Sequence, residues 1–190
     1  MSAARSGSGI SQFDEVLLAA RLGEGWALTA LFHGYAGPVG GYVRARTSAE
    51  VDDLVSEIFT SAFTSLDRFT GGEADFRGWL FTIAARRVVD DLRRRGRRVQ
   101  TSFYDPADDP RTEASAEDRS LDRMGEQWAR GVLDQLVPDQ REVLLLRVLG
   151  DLTVEQVAAQ LGKTPGAVKQ LQRRGLAAAA KIVQAQGVPL

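Results

Sequence analysis

The stretch from Pro138 to Leu176 constrains the fold most, because three helix starts fall inside it in fixed register. Pro138 sits where a helix can open without losing a needed N–H, and Val143, Leu144, Leu146 and Val148 follow as an apolar stripe. Thr153-Val154-Glu155-Gln156 has the form of a capping box, in which hydroxyl and amide satisfy each other's backbone N–H. Val154, Val157, Ala158 and Leu161 then recur at i, i+3, i+4 and i+7, which predicts one buried face. Gly162 is a natural stop, and Thr164 caps a third helix with Pro165 at its first position. On that helix Val168 and Leu171 point inward. Gly166, Lys169, Gln170, Gln172 and Arg173 are left facing outward. A short helix, a tight turn and a second helix with amide and cationic side chains on its free face make a shape that enters a major groove. Thr164 and the first-turn N–H groups are placed to hold a phosphate, and the longer side chains beyond them reach base edges. An ordinary helical hairpin with a solvated basic face has the same spacing. The three caps and the basic outer face favour DNA.

A DNA binder with a net charge of −1 is odd until the charge is located. It is segregated along the 190 residues, and 44% hydrophobic content is enough for packed cores. No run of about 18 apolar residues is present, so no membrane span is expected. MSAARSGSGISQFDE lacks an apolar core, so no secretory signal is expected. With no cysteine, disulfides and thiolate metal sites are excluded, and a cytoplasmic location fits.

After a small, polar start, Ser11 can cap a first helix with Phe13, Val16, Leu17 and Ala20 inward. Gly23 and Gly25 break it. A second apolar segment runs from Trp26 through Leu31, Phe32 and Tyr35, and Gly37, Pro38, Gly40 and Gly41 argue against a continuous helix there. His33 has no second His or Cys to join it and reads as a half-buried packing residue. From Thr47, with Glu50 three residues on, a strong helix is expected, carrying Val51, Leu54, Val55, Ile58, Ala62, Leu66 and Phe69 as its core stripe. Asp53, Glu57 and Thr60 share another face, with Phe59 and Phe63 near it. Carboxylates beside an exposed aromatic predict a protein-binding surface rather than a merely solvated one.

Past Gly71-Gly72, Phe76, Trp79, Leu80, Ile83, Ala84, Val88 and Leu92 take core spacing. On the same helix Arg77, Arg86, Arg87, Arg93, Arg94, Arg95, Arg97 and Arg98 are opposed only by Asp90 and Asp91. Such arginine density suits an unpaired nucleic-acid strand better than a solubilising surface. Residues 99–123 turn acidic and proline-containing, which marks a flexible linker. Trp128, Val132, Leu133 and Leu136 then lead back to the helices described first.

In this order the segments resemble bacterial sigma factors of the extracytoplasmic-function group (sigma-70 family group IV), over roughly Phe13 to Lys181. DLVSEIFTSAF resembles the polymerase-binding helix of sigma region 2, FRGWLFTIAARRVVDDLRRR its minus-10 and strand-melting segment, and LTVEQVAAQLGKTPGAVKQLQRR the minus-35 reader of region 4. Where many relatives have Ala-Arg-Asn this chain has Ala84-Ala85-Arg86. Phe63 stands where Trp is frequent, and Gln170-Leu171-Gln172 replaces the commoner Ser-Arg-Leu.

The resemblance implies an all-α protein of two small helical domains, residues 10–98 and 124–184, joined by the acidic linker. It assigns Asp53, Leu54, Glu57, Ile58, Phe59 and Ala62 to polymerase binding. Arg77, Arg86, Arg87, Asp90, Arg93 and Arg94 go to the minus-10 element, and Thr164, Gly166, Lys169, Gln170, Gln172 and Arg173 to the minus-35 element. The expected partners are RNA polymerase core and promoter DNA, with room for an anti-sigma factor. No cofactor, metal or catalytic residue is expected, nor an appended C-terminal domain, and the free chain is expected to be a monomer. The competing reading is an autonomous helix-turn-helix regulator with a sensing or dimerising N-terminal half. That reading has no use for the second basic segment, Arg86 to Arg98.

Overall fold

The computed structural model describes residues 11–47, 50–99 and 118–186, with the side chains of 96–99, 118–124 and 126 left aside. The expected linker thus lies largely outside the described residues. Of its positions, Val99 closes α4 and 118–123 stand in α5.

Helix α1, Gln12–Arg21, opens on a capping box between Ser11 and Asp14 and buries Leu17 and Ala20. Gly23, at φ +80°, turns the chain into α2. Against expectation, α2 runs unbroken from Gly25 to Arg46 with Pro38 inside it. An interior proline costs about 3 kcal/mol. Leu31, Tyr35, Val39, Tyr42 and Val43 are all buried on α2, and at about 1.5–3 kcal/mol for each large side chain that burial outweighs the proline. Thr47 is likewise not the start of the next helix. It ends α2, buried, and its hydroxyl donates to Asp91 at 3.2 Å.

α3, Val51–Thr64, passes through a turn of 3-10 helix at Leu66–Arg68 into α4, Glu73–Val99. Leu66 and Phe69 lie past the end of α3 yet are buried as expected. Arg21 donates to the backbone carbonyls of Leu66 and Phe69 and so ties α1 to this turn. Phe13, Tyr35, Phe69 and Trp79 surround Phe76 with ring centroids 5.2–5.6 Å from its own, and Trp79 also meets Phe69 at 5.2 Å. Leu92, expected inside, is exposed: on α4 the last buried side chain among the described residues is Val88. His33 is exposed too, edge-on to Phe32 at 5.7 Å, rather than half-buried.

The second half holds α5, Asp118–Asp134; α6, Pro138–Val148; α7, Val154–Leu161; and α8, Pro165–Ala185. α6 packs mainly on α8, with Gly175 allowing the close crossing: a Cβ there would sit 3.1 Å from Leu144 Cδ1. Leu145 is buried and Val148 exposed, the reverse of the expected stripe at those two places. No strand occurs among the described residues. The two halves share one hydrophobic core: Val143, Leu145, Leu146, Leu152, Val157 and Val168 join the cluster built by α1 to α4.

Candidate nucleic-acid and polymerase surfaces

The helix-turn-helix is built as its sequence requires. Gln156 N–H donates to Thr153 Oγ1 at 3.1 Å, and the Gln156 side chain accepts from Thr153 N–H at 2.8 Å. Gly162 takes the left-handed conformation (φ 63°), and Thr164 caps α8 through Ala167 N–H at 3.2 Å. Val168 is buried and Leu171 half-buried, so the opposite face of α8 is the free one. Thr164, Gly166, Lys169, Gln170 and Arg173 are exposed on it. Gln172 stands apart from them: it is half-buried and accepts from Arg147 Nε at 3.3 Å. Arg174, exposed beside Arg173, adds a cation that the motif reading passed over. Adjacency to Arg173 at the edge of the free face was the available signal.

On α4 five of the six expected residues cluster. Arg86, Asp90 and Arg93 follow at i, i+4 and i+7 along one stripe, with Arg93 3.7 Å from Asp90. Arg87 and Arg94 form a parallel stripe and both reach Glu57 on α3, at 3.7 and 3.8 Å. Exposed pairs of this kind contribute about 0–1 kcal/mol, so phosphates can replace Glu57 at little cost. Arg77 lies roughly 13 Å further back along the axis at 1.5 Å per residue. It pairs with Glu73 at 3.5 Å and with Asp151, in the turn between α6 and α7. Trp79, half-buried among the phenylalanines, belongs to the core.

The expected docking face on α3 is narrower than the sequence indicated. Asp53 and Glu57 are exposed, as are Asp52 and Ser56. Leu54, Ile58, Phe59 and Ala62 are core. Phe59 is only 2% exposed, stacked edge-on to Phe32 at 4.8 Å and tilted against Phe63 at 5.6 Å, so it is not the exposed aromatic inferred above. α3 is covered by α2 on one side and α4 on the other, and its buried arc is wider than a single stripe.

Among the described residues no group of His, Asp and Glu could hold a metal ion, and no helix is long and apolar enough to cross a membrane.

The family model for Sigma-70 region 2 matches residues 31–98, and that for Sigma-70, region 4 matches residues 126–178. The chain is 35% identical over 130 residues to the ECF RNA polymerase sigma factor ShbA of Streptomyces griseus, covering 66% of this chain and 68% of that protein. The chain belongs to the ECF RNA polymerase sigma factors. It is also 32% identical over 171 residues to the sigma factor BldN of Streptomyces coelicolor, covering 89% of this chain and 65% of that protein. This sigma factor thus spans about two thirds of the length of those curated relatives. Its fold is similar to that of CnrH, solved with the cytosolic domain of CnrY, with a TM-score of 0.65 and 22% identity over 90% of this chain and 96% of that one. A sigma factor RpoE solved with the anti-sigma factor NepR from Bartonella quintana gives a TM-score of 0.55 at 23% identity, over 90% and 92%. The two sigma regions map onto this chain as α2 to α4 and as α5 to α8.

Proposed function

We infer that this chain brings RNA polymerase core to a particular set of promoters. The observation that carries the reading is a pair of separate basic faces. One is on α4 in the region 2 match and the other on α8 in the region 4 match. α8 reads the minus-35 element: Thr164 and the first-turn backbone set its register on a phosphate, and Lys169, Gln170 and Arg173 reach the groove. Gln172 joins them once it releases Arg147. The stripes Arg86/Asp90/Arg93 and Arg87/Arg94 hold the separated minus-10 strand and its flanking phosphates. Arg77 serves the same element after leaving Asp151. Asp53 and Glu57 dock on the polymerase, with Leu54, Ile58, Phe59 and Ala62 shaping that face from beneath. Residues 10–98 act as region 2 and 124–184 as region 4, with α5 extending the latter back to Asp118. The chemistry of RNA synthesis belongs to the polymerase, so the chain needs no catalytic residue or cofactor of its own. It works in the cytoplasm, as a monomer when free, and an anti-sigma factor is a partner of the kind its structural neighbours were solved with.

Run-off transcription with core polymerase and a set of genomic promoters tests the reading. The native chain should direct specific transcripts. Asp53→Lys with Glu57→Lys should lower co-elution with core enzyme at unchanged helical content. Arg86→Ala with Arg87→Ala should impair permanganate-detected melting more than initial promoter binding. Normal melting in that variant would refute the role of α4.

A further inference from the structure

Single apolar side chains on a protein surface need no explanation, but several around one hollow do. Three of the eight large apolar side chains exposed among the described residues, Trp128, Val148 and Leu176, line a hollow of about 580 Å³. Leu133, Leu144 and Leu149 add to its lining, and Gly41 and Ala45 are contributed by α2, so α2, α5, α6 and α8 all bound it. α5 packs on α8 much less closely than α6 does, and the space between these helices is left unfilled. Trp128 is held in place, its indole N–H donating to Gln186 Oε1 at 2.7 Å. A hollow of this size between helices, apolar with a few polar groups, is what small ligands occupy. A partner helix is about 10–12 Å across with its side chains, so the hollow would seat only about one turn of it.

The charged residues of the lining are Arg44 and Arg130, and no described Asp or Glu belongs to it. Arg130 reaches Asp134 only at 3.9 Å, whereas Asp134 is met by Arg141 at 2.7 Å. An exposed pair as long as that contributes little, so Arg130 can turn to another anion. Arg44 is exposed as well. Two guanidinium groups and no carboxylate, set in an apolar lining, select an occupant with an apolar body and an anionic head.

We propose that this hollow binds a single-chain fatty carboxylate. Its alkyl chain lies against Trp128, Leu133, Leu144 and Leu149, and its head is held by Arg130 and Arg44. The forked donors of a guanidinium match the two oxygens of a carboxylate. This site is independent of how α4 and α8 meet promoter DNA, and its failure would leave that reading untouched. A ligand that touches four helices also stabilises the chain: at a hundredfold excess over Kd the midpoint of thermal unfolding should rise by roughly 5 °C.

Isothermal titration of the full chain with dodecanoate, kept below its micelle concentration, tests the site. Dodecanoate should bind one to one. Dodecylammonium, with the same alkyl chain and the opposite head, should bind at least about tenfold more weakly, since it forfeits the charge-assisted hydrogen bonds. Arg44→Gln with Arg130→Gln should remove most of that difference by weakening dodecanoate. Gly41→Leu fills the hollow, because a Cβ at Gly41 would lie 3.6 Å from Leu149 Cδ1, an ordinary contact. Replacing a glycine inside a helix should leave the free chain at least as stable, so lost binding is not lost folding. Leu176→Trp, at an exposed position, is a second filler should Gly41→Leu not fold. Each filler should weaken dodecanoate by about tenfold or more. Absence of one-to-one heat and of any thermal shift with the native chain overturns the site. Equal affinity for dodecylammonium, or an unchanged affinity in the double arginine variant, overturns the carboxylate. Unchanged binding in both fillers overturns the hollow as its place, and so does a native dimer in sedimentation that dodecanoate cannot enter, since a second copy then covers this face.

Discussion

Glu57 and Phe59 sit two positions apart on α3 and meet opposite surroundings. Glu57 faces solvent and the arginines of α4, whereas Phe59 is wedged between Phe32 and Phe63. Phe59→Ala should therefore cost about 3–5 kcal/mol of unfolding free energy, as for other buried phenylalanines. Glu57→Lys should change stability by about 1 kcal/mol or less, the usual worth of exposed pairs. Urea unfolding of the two variants measures both; a Phe59→Ala chain as stable as the native one would mean that the aromatic is not core. Periodicity located the buried stripe of α3 but not its width, because the arc depends on how many neighbours cover the helix. The same blind spot explains Val148, which faces outward although Leu152, further along the chain, is wholly buried. Gln172 escaped the sequence for another reason: its partner Arg147 lies 25 residues away on another helix.

At the level of elements, what was legible were the ends. Ser11, Thr153, Gly162 and Thr164 do locally what their chemistry dictates, since a cap needs only the next three residues to be correct. α2 was not legible. Its proline and glycines are local arguments against a helix, and the burial that overrides them is supplied by α1, α3, α4 and α6. Thr47 was misread likewise, because its acceptor Asp91 is 44 residues on. Caps that act locally should also fail locally. Gly162→Ala forces a Cβ into the left-handed region and should destabilise by about 1–2 kcal/mol. Thr153→Ala should cost about 1 kcal/mol, and its loss also loosens Gln156, which reaches Ala74 on α4. Lys169→Ala, on the free face, should leave thermal unfolding unchanged. A larger loss at Lys169 than at Gly162 would contradict the orientation of α8.

For the whole molecule, composition and motif order made two helical halves legible but not their docking, which rests on pairs such as Tyr42 and Glu142, 100 residues apart. The arrangement has a consequence for DNA binding. Each half offers few base contacts, and part of the α4 charge is spent on Glu57 and Asp151. The free protein should bind promoter DNA weakly and with strong salt sensitivity. Anchoring both halves on polymerase makes the second contact effectively intramolecular and should sharpen binding by orders of magnitude. The logarithm of affinity should fall with that of salt at about 0.9 per neutralised duplex phosphate, so the number of contacts can be read with and without core enzyme. Arg173→Ala then discriminates between two uses of α8. A base contact predicts a loss of about 1–3 kcal/mol on one promoter and relaxed preference at one or two upstream positions. A phosphate contact predicts an equal loss on all sequences and a slope shallower by about one. A tight, sequence-specific shift by the free native protein would contradict this division of labour and favour an autonomous regulator, because a chain that reads its site unaided needs no polymerase to join its halves.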